Sequence, residues 1–355
     1  MNSRPLDDPE HLAAIDRSRM GDLLREFPEQ LAHAWDLASQ VSLPEHLGCL
    51  LVCGMGGSAI GGDFLRIYLQ QKGFSKPINV VRGYELPPFA DERTLVFAVS
   101  YSGNTEETLS CTQQALERGC TVFALTSGGQ LATVAEEHGM TAVRIPGGMP
   151  PRTALGYLFA PLLRVLLSSF EKGEEIEREF QEAVSTLRRL AATYSEKPET
   201  ENPAKRLARA LFQKIPVIYG SEVTEASARR WKGQINENAK QPAYWDVLPE
   251  LHHNEIMSWE SPLMENFVYV LLRDPEEHPQ VRTRFALTRE LLAERGRVVL
   301  EAQGEGKGLL SRLLSLSYLG DWVSYYLALL NGVDPTPVAL IERMKRRLNG
   351  EEDLP

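Results

Sequence analysis

The chain lacks the marks of a membrane, metal or nucleic-acid protein. No run of about 18 apolar residues is present to span a bilayer. The densest stretch, Tyr157 to Phe170, is too short and contains Arg164. Residues 1–20 carry charges throughout and no apolar core of a leader, so no signal peptide is expected. Only four cysteines occur in 355 residues: Cys49, Cys53, Cys111 and Cys120. They show no zinc pairing, and they read as reduced thiols of a cytoplasmic protein. Seven histidines include no His-Glu-x-x-His, so a metal-independent mechanism is the expectation. The net charge of −10 argues against nucleic acid as the main partner, because duplex binding needs a basic face. The local cluster Arg343, Lys345, Arg346, Arg347 reads as the basic last turn of a helix. The Gly-Lys-Ser/Thr ending of a P-loop is also absent, so a Mg-nucleotide is not the expected ligand.

What is present is an alternation of apolar runs and helical patterns over a length suited to two domains. Residues 1–47 form a helical lead-in, with Leu23, Leu24, Phe27, Leu31, Ala34 and Trp35 at helical spacing. Strands are expected at 49–54, 78–81, 94–99, 121–125 and 143–145. The glycine-rich Met55 to Asp63 follows the first strand, and a helix is expected from Phe64. This first α/β unit covers 48–153. A helical connection, 154–203, ends in the charged, proline-bearing stretch Tyr194 to Pro203, the best candidate linker. The second unit, 204–355, repeats the order of the first. Ile215 to Gly220 parallels 49–54, Asn266 to Leu272 parallels 94–99, and Arg297 to Glu301 parallels 121–125. The expectation is two tandem, doubly wound units with mainly parallel central sheets flanked by helices.

The most informative turn is Ser100-Tyr-Ser-Gly-Asn-Thr105, between a buried strand and a helix. A helix start offers free N–H groups and a favourable dipole to an anion. Ser100, Ser102 and Thr105 add hydroxyl donors, and Gly103 lets the backbone come close. An ordinary cap needs one hydroxyl, not three, so the turn reads as a site for the phosphate of a small metabolite. The equivalent exit in the second unit, Arg273-Asp-Pro-Glu-Glu-His278, is acidic and has no serine. One phosphate site per chain is therefore expected, in the first unit.

Three further segments carry chemistry. Pro146-Gly-Gly-Met-Pro-Pro-Arg152 is a stiff loop that aims one arginine, against the plainer reading of a surface arginine in a linker. Asn236-Glu237-Asn238 places a carboxylate between two amides on a helix or its end. A lone glutamate there is as often a solvated residue. Leu248-Pro-Glu-Leu-His252-His253-Asn-Glu255 holds two histidines in a polar segment, either an acid/base pair or a capping cluster.

Together, Gly54 to Asp63, Ser100 to Thr108, Gly148 to Arg152, Asn236 to Lys240, His253-Asn-Glu255 and the tail Asp334-Pro-Thr-Pro-Val338 with Ile341 to Lys345 closely resemble one family. It is the bifunctional phosphoglucose/phosphomannose isomerases of the sugar isomerase (SIS) domain superfamily. The resemblance runs in order from about residue 48 to about 348. It implies that Glu237 moves a proton between carbons 1 and 2 of the sugar, and that Arg152 stabilises the enediolate. It implies that His253, supplied by a partner subunit of a homodimer, helps open the ring, and that Lys345 assists. It matches Gly57, Ser58, Ser100, Ser102 and Thr105 to the phosphate-binding positions, with sugar 6-phosphates as substrates and no cofactor. The choice of His253 over His252 rests on its place before Asn-Glu, and Lys345 is the loosest match.

That assignment is chemically coherent. One base must deprotonate one carbon and return the proton to its neighbour, and a carboxylate can do both. A fixed guanidinium suits the enediolate without exchanging protons. The rivals are another sugar-phosphate enzyme of the superfamily and a non-enzymatic sugar-phosphate sensor. A sensor typically carries a basic helix-turn-helix segment, which the sequence does not show, and it has no need of Glu237 and His253 together.

Overall fold

The computed structural model describes residues 5–39, 41, 48–167, 172–348 and 350. Residues 1–4, 40 and 42–47 of the expected lead-in lie outside the described residues. Its described part holds α1 (Pro9–Ile15), α2 (Met20–Arg25) and α3 (Phe27–Leu37).

Five apolar runs build the first sheet: β1 (Cys49–Cys53), β2 (Ile78–Val81), β3 (Thr94–Ser100), β4 (Thr121–Thr126) and β5 (Thr141–Arg144). They pair in parallel in the order β2-β1-β3-β4-β5. The crossovers are α4 (Gly56–Gln71), α5 (Glu106–Glu117) and α6 (Gly129–Glu137). Successive strand residues point to opposite faces. Leu50, Val52, Phe97 and Phe123 enter one core, while Leu51, Cys53, Val96 and Ala124 enter a second beneath α5 and α6. Both faces are covered, which is why these strands read as unbroken apolar runs.

A turn of 3-10 helix (Pro151–Thr153) leads to α7 (Leu155–Leu166), then α8 (Gly173–Glu196) and α9 (Pro203–Leu211). The second sheet has β6 (Ile215–Ser221), β7 (Tyr244–Leu248), β8 (Phe267–Arg273) and β9 (Val298–Gln303), all parallel, in the order β7-β6-β8-β9. Its helices are α10 (Glu225–Ala239), α11 (Pro279–Glu294), α12 (Leu309–Asn331) and α13 (Ala339–Leu348). With β6 set against β1, the strand order of the first sheet recurs, so the internal repeat is real in topology.

The two sheets share one core. Ile218, Val268 and Val270 join the cluster that holds Leu50, Val52 and Phe97. Through its middle runs α12, buried at every residue from Leu310 to Leu330. A helix apolar on all sides is a core helix.

Three expectations need correction. The helix after β1 starts at Gly56, not Phe64. The glycines are there for close packing rather than for a turn. A Cβ on Gly61 would lie 2.5 Å from the Leu158 carbonyl oxygen, and one on Gly62 would lie 2.7 Å from Val52 Cγ1. Strand β7 was not expected, because it is a partly exposed edge strand with Asp246 at its centre and no apolar run. The stretch from Tyr194 to Pro203 is pinned rather than loose. Tyr194 is buried within α8, and Asn202 caps α9 by accepting from Ala204 and Lys205 N–H while donating to the Tyr194 carbonyl at 2.7 Å.

Candidate active site

Ligands of open α/β sheets collect at the carboxyl ends of the strands, where the order reverses. In the first sheet that point lies between β1 and β3. Ser100 ends β3, and its Oγ accepts the Gly103 N–H at 3.0 Å and shares a 2.8 Å hydrogen bond with Thr105 Oγ1. Thr105 stands at the N-cap of α5, yet its hydroxyl turns to Ser100 and makes no bond to the helix's first turn. Ser102 Oγ accepts the Asn104 N–H at 3.2 Å, and Ser58 Oγ accepts the Tyr101 N–H at 3.3 Å. Gly103 has φ 74°, and a Cβ there would overlap the Gly128 carbonyl oxygen. So the five residues read as phosphate-binding come from two adjoining helix starts. Ser58 is the bond between them.

The same turn holds the arginine loop. Tyr101 donates its hydroxyl to the Pro146 carbonyl and accepts the Met149 N–H, both at 3.1 Å. The loop then delivers Arg152 into the interior, where the residue is 5% exposed. Its Nε donates to Asn238 Oδ1 at 2.6 Å, and its Nη2 donates to the carbonyls of Pro335 and Thr336 at 2.8 Å each. Its Nη1 stands 3.5 Å from Glu237 Oε2. Burial draws the proton affinity of Arg152 down, and Glu237 opposes that. A guanidinium stays charged under such a pull.

Glu237 sits in the last turn of α10, and its side chain is 35% exposed. It opens onto a cavity of about 260 Å³ lined by Gly56, Gly57, Arg82, Arg152, Arg229 and Lys232 among others. Gly57 is packed onto the arginine loop, since a Cβ there would lie 2.8 Å from the Pro151 carbonyl oxygen. The start of α4 thus touches the serine turn on one side and Arg152 on the other. Beneath lies a buried polar layer. Asn238 Nδ2 donates to Ser324 Oγ at 2.9 Å, Arg230 pairs with Asp321 at 2.8 Å, and Gln234 donates to the same carboxylate. Arg230 also donates to the Arg152 carbonyl at 2.9 Å.

Gly57, Ser58, Ser100, Ser102, Thr105, Arg152 and Glu237 are therefore linked through packed elements of one chain. His253 and Lys345 are not. His253 ends a short 3-10 helix (Glu250–His253) after β7, exposed and outside the cavity that Glu237 lines. Lys345 is exposed on α13, whose start lies beside Glu237 and Lys240 in an apolar groove. His252 is held by partners within its own chain. Arg284 donates to His252 Nδ1 at 3.2 Å, so Nε2 carries the proton toward Thr288 Oγ1 at 2.8 Å. Burial, and after it Arg284, lower the His252 pKa.

Asn238 and the carbonyls of Pro335 and Thr336 orient Arg152. Both segments stand among the motifs of the sequence, but nothing in the sequence pairs them with the arginine. A second group surrounds Glu255, in the 3-10 segment Glu255–Glu260. Tyr219 donates to Glu255 Oε1 at 2.5 Å, and Trp259 Nε1 donates to Tyr219 at 3.0 Å. Burial pushes the Glu255 carboxyl up to about 7, with Asp246 adding to the rise and Tyr219 opposing it.

Paired parallel sheets with a hydroxyl-lined turn between β1 and β3 define the sugar isomerase (SIS) class of α/β proteins. Residues 200–348 match the bacterial phospho-glucose isomerase C-terminal SIS domain. A solved glucose-6-phosphate isomerase like protein from Thermus thermophilus aligns over 97% of this chain and 99% of its own, with TM-score 0.65 and 23% identity. The chain is 43% identical to a bifunctional phosphoglucose/phosphomannose isomerase of Caldicellulosiruptor bescii, covering 93% of this chain and 98% of that one. It is 42% identical to a protein of the same description from Aquifex aeolicus, covering 84% and 90%. The chain belongs to the bifunctional phosphoglucose/phosphomannose isomerase family. Among the described residues, no helix is long and apolar enough to cross a membrane.

Proposed function

We propose that the protein interconverts glucose 6-phosphate and mannose 6-phosphate with fructose 6-phosphate through an enediolate. The observation that carries this reading is the Arg152–Glu237 pair. It sets one aimed guanidinium 3.5 Å from one half-exposed carboxylate. Gly57, Ser58, Ser100, Ser102 and Thr105 hold the 6-phosphate at the starts of α4 and α5 and so fix the far end of the open-chain sugar. Glu237 takes the proton from carbon 2 of the aldose. The electron pair of that C–H bond forms the C1–C2 double bond, and the carbonyl pair moves onto oxygen 1. Arg152 Nη1 stabilises that oxyanion. Glu237 then returns the proton to carbon 1 while the oxygen 2 proton passes to oxygen 1, so the ketone forms at carbon 2 and oxygen 1 becomes a hydroxyl. Carbon 1 is reduced as carbon 2 is oxidised, so the balance calls for no external oxidant. Glucose and mannose 6-phosphates differ only at carbon 2 and meet in the same enediolate.

Ring opening is assigned to His253 of a second copy and to Lys345, in a homodimer. Exposed apolar side chains support an interface on the elements that carry them. Leu340 and Met344 lie on α13, and Met257 and Leu263 follow His253. Four unpaired cysteines fit a reducing, cytoplasmic setting.

The test is Glu237→Gln. Turnover of fructose 6-phosphate should fall at least about 100-fold with sugar-phosphate binding retained, the scale of a lost general base. Near-normal turnover would remove Glu237 from that role.

A further inference from the structure

The cavity holds more positive charge than one enediolate requires. On α10, Arg229, Gly233 and Glu237 recur every four residues and share one face. The eight residues from Arg229 to Glu237 rise about 12 Å along the axis. Gly233, between them, leaves open space where a side chain would stand. At the far end Arg229 lies over the Trp245 ring, 4.6 Å from its centroid. Arg82, at the exit of β2, joins it around Asp63; Arg82 pairs with that carboxylate closely and Arg229 stands 3.8 Å away. Glu225 answers Arg66 at 2.8 Å and Arg229 at 3.7 Å. Lys232 lines the same cavity, half-buried, with no hydrogen bond or ion pair among the described residues. Arg66, Arg82, Arg229 and Lys232 thus face two carboxylates, an excess of cations in a chain of net charge −10.

Sheet order places this rim. Arg82 leaves β2 and the serine turn leaves β3, with β1 between them. Two strand spacings separate them, about 10 Å. Arg82, Arg229 and Lys232 line one cavity with Glu237 and with Gly56 and Gly57 at the start of α4.

We infer that Arg82, Arg229 and Lys232 form a second anion subsite, which takes an open-chain sugar carrying an anionic group at each end, a ketohexose 1,6-bisphosphate. The inference rests on the isomerase reading for the place of the first phosphate. A phosphate on oxygen 1 removes the hydroxyl that the enediol needs. Such a ligand binds without turnover and competes with the monophosphate.

Calorimetric titration of the full chain with fructose 1,6-bisphosphate and with fructose 6-phosphate tests this. The bisphosphate should bind at least about tenfold tighter at low salt, as expected for added charge-assisted hydrogen bonds, and its advantage should shrink as ionic strength rises. In Lys232→Gln and Arg229→Gln the ratio of the two affinities should fall severalfold or more. Arg229 is packed on Trp245 and two carboxylates, so its loss could unfold the protein; Lys232 makes no such contacts and keeps the test decisive. Equal affinity for the two sugars, or a ratio unmoved by Lys232→Gln, overturns the subsite. Preference for the bisphosphate without turnover of fructose 6-phosphate would instead overturn the isomerase reading and leave the subsite standing. Binding of neither sugar overturns both.

Discussion

Arg152 shows how a single buried charge is made useful. Three acceptors hold its Nε and Nη2, so the group cannot swing, and Nη1 is left toward Glu237. Those acceptors come from residues 86, 183 and 184 positions away. That distance is why the arginine was legible in sequence, as a loop of prolines and glycines with one cation, while its clamp was not. Glu255 makes the opposite case, a carboxyl that prefers its proton. Its ordinary pKa of 4.5 rises to about 7 in the folded chain, so between those values the folded state binds more protons than the unfolded one. The stabilisation is full below about 4.5 and is lost as pH climbs toward 7. The thermal midpoint of the wild type should therefore fall across that window relative to Glu255→Gln, which resembles the protonated form at every pH. Parallel profiles for the two proteins would show that Glu255 does not titrate there.

At the scale of elements, the central strands were readable, and so were the edges β2, β5 and β9; the edge strand β7 was not. β1, β3, β4, β6 and β8 are buried on both faces, so each is an apolar run bounded by polar or glycine residues. β7 borders the second sheet, exposed at Tyr244 and half-buried from Trp245 to Val247, and its pattern dissolves into aromatic and acidic residues. The start of α4 was misread because glycine signals a turn and a close helix contact alike; only the packing on α7 separates the two. Gly103 is the reverse, a true turn glycine in the left-handed region with a carbonyl where a side chain would go. Gly103→Ala should cost at least about 2 kcal/mol from backbone strain and overlap. It should also raise the Michaelis constant for the sugar phosphate, because the hydroxyls of Ser100 and Thr105 are tied to that turn. Unchanged denaturation and an unchanged Michaelis constant would show that the turn tolerates a side chain.

The whole molecule leaves the assigned machinery divided. Glu237 and Arg152 meet within one chain, while His253 and Lys345 face outward on elements with exposed apolar residues. In the proposed homodimer, isologous pairing would give each site what its own chain lacks. Glu237→Gln and His253→Ala should each be nearly inactive alone. Mixed one to one and re-equilibrated, half of the dimers are hybrids with one intact site, so about a quarter of wild-type activity should return. No recovery after verified exchange would place the histidine in its own chain's site.

The central claim is one site with two epimeric products. Purified protein with fructose 6-phosphate should form glucose 6-phosphate and mannose 6-phosphate together, each detected separately, and both should disappear in parallel in Glu237→Gln. Formation of neither product by protein that binds fructose 6-phosphate would contradict the account.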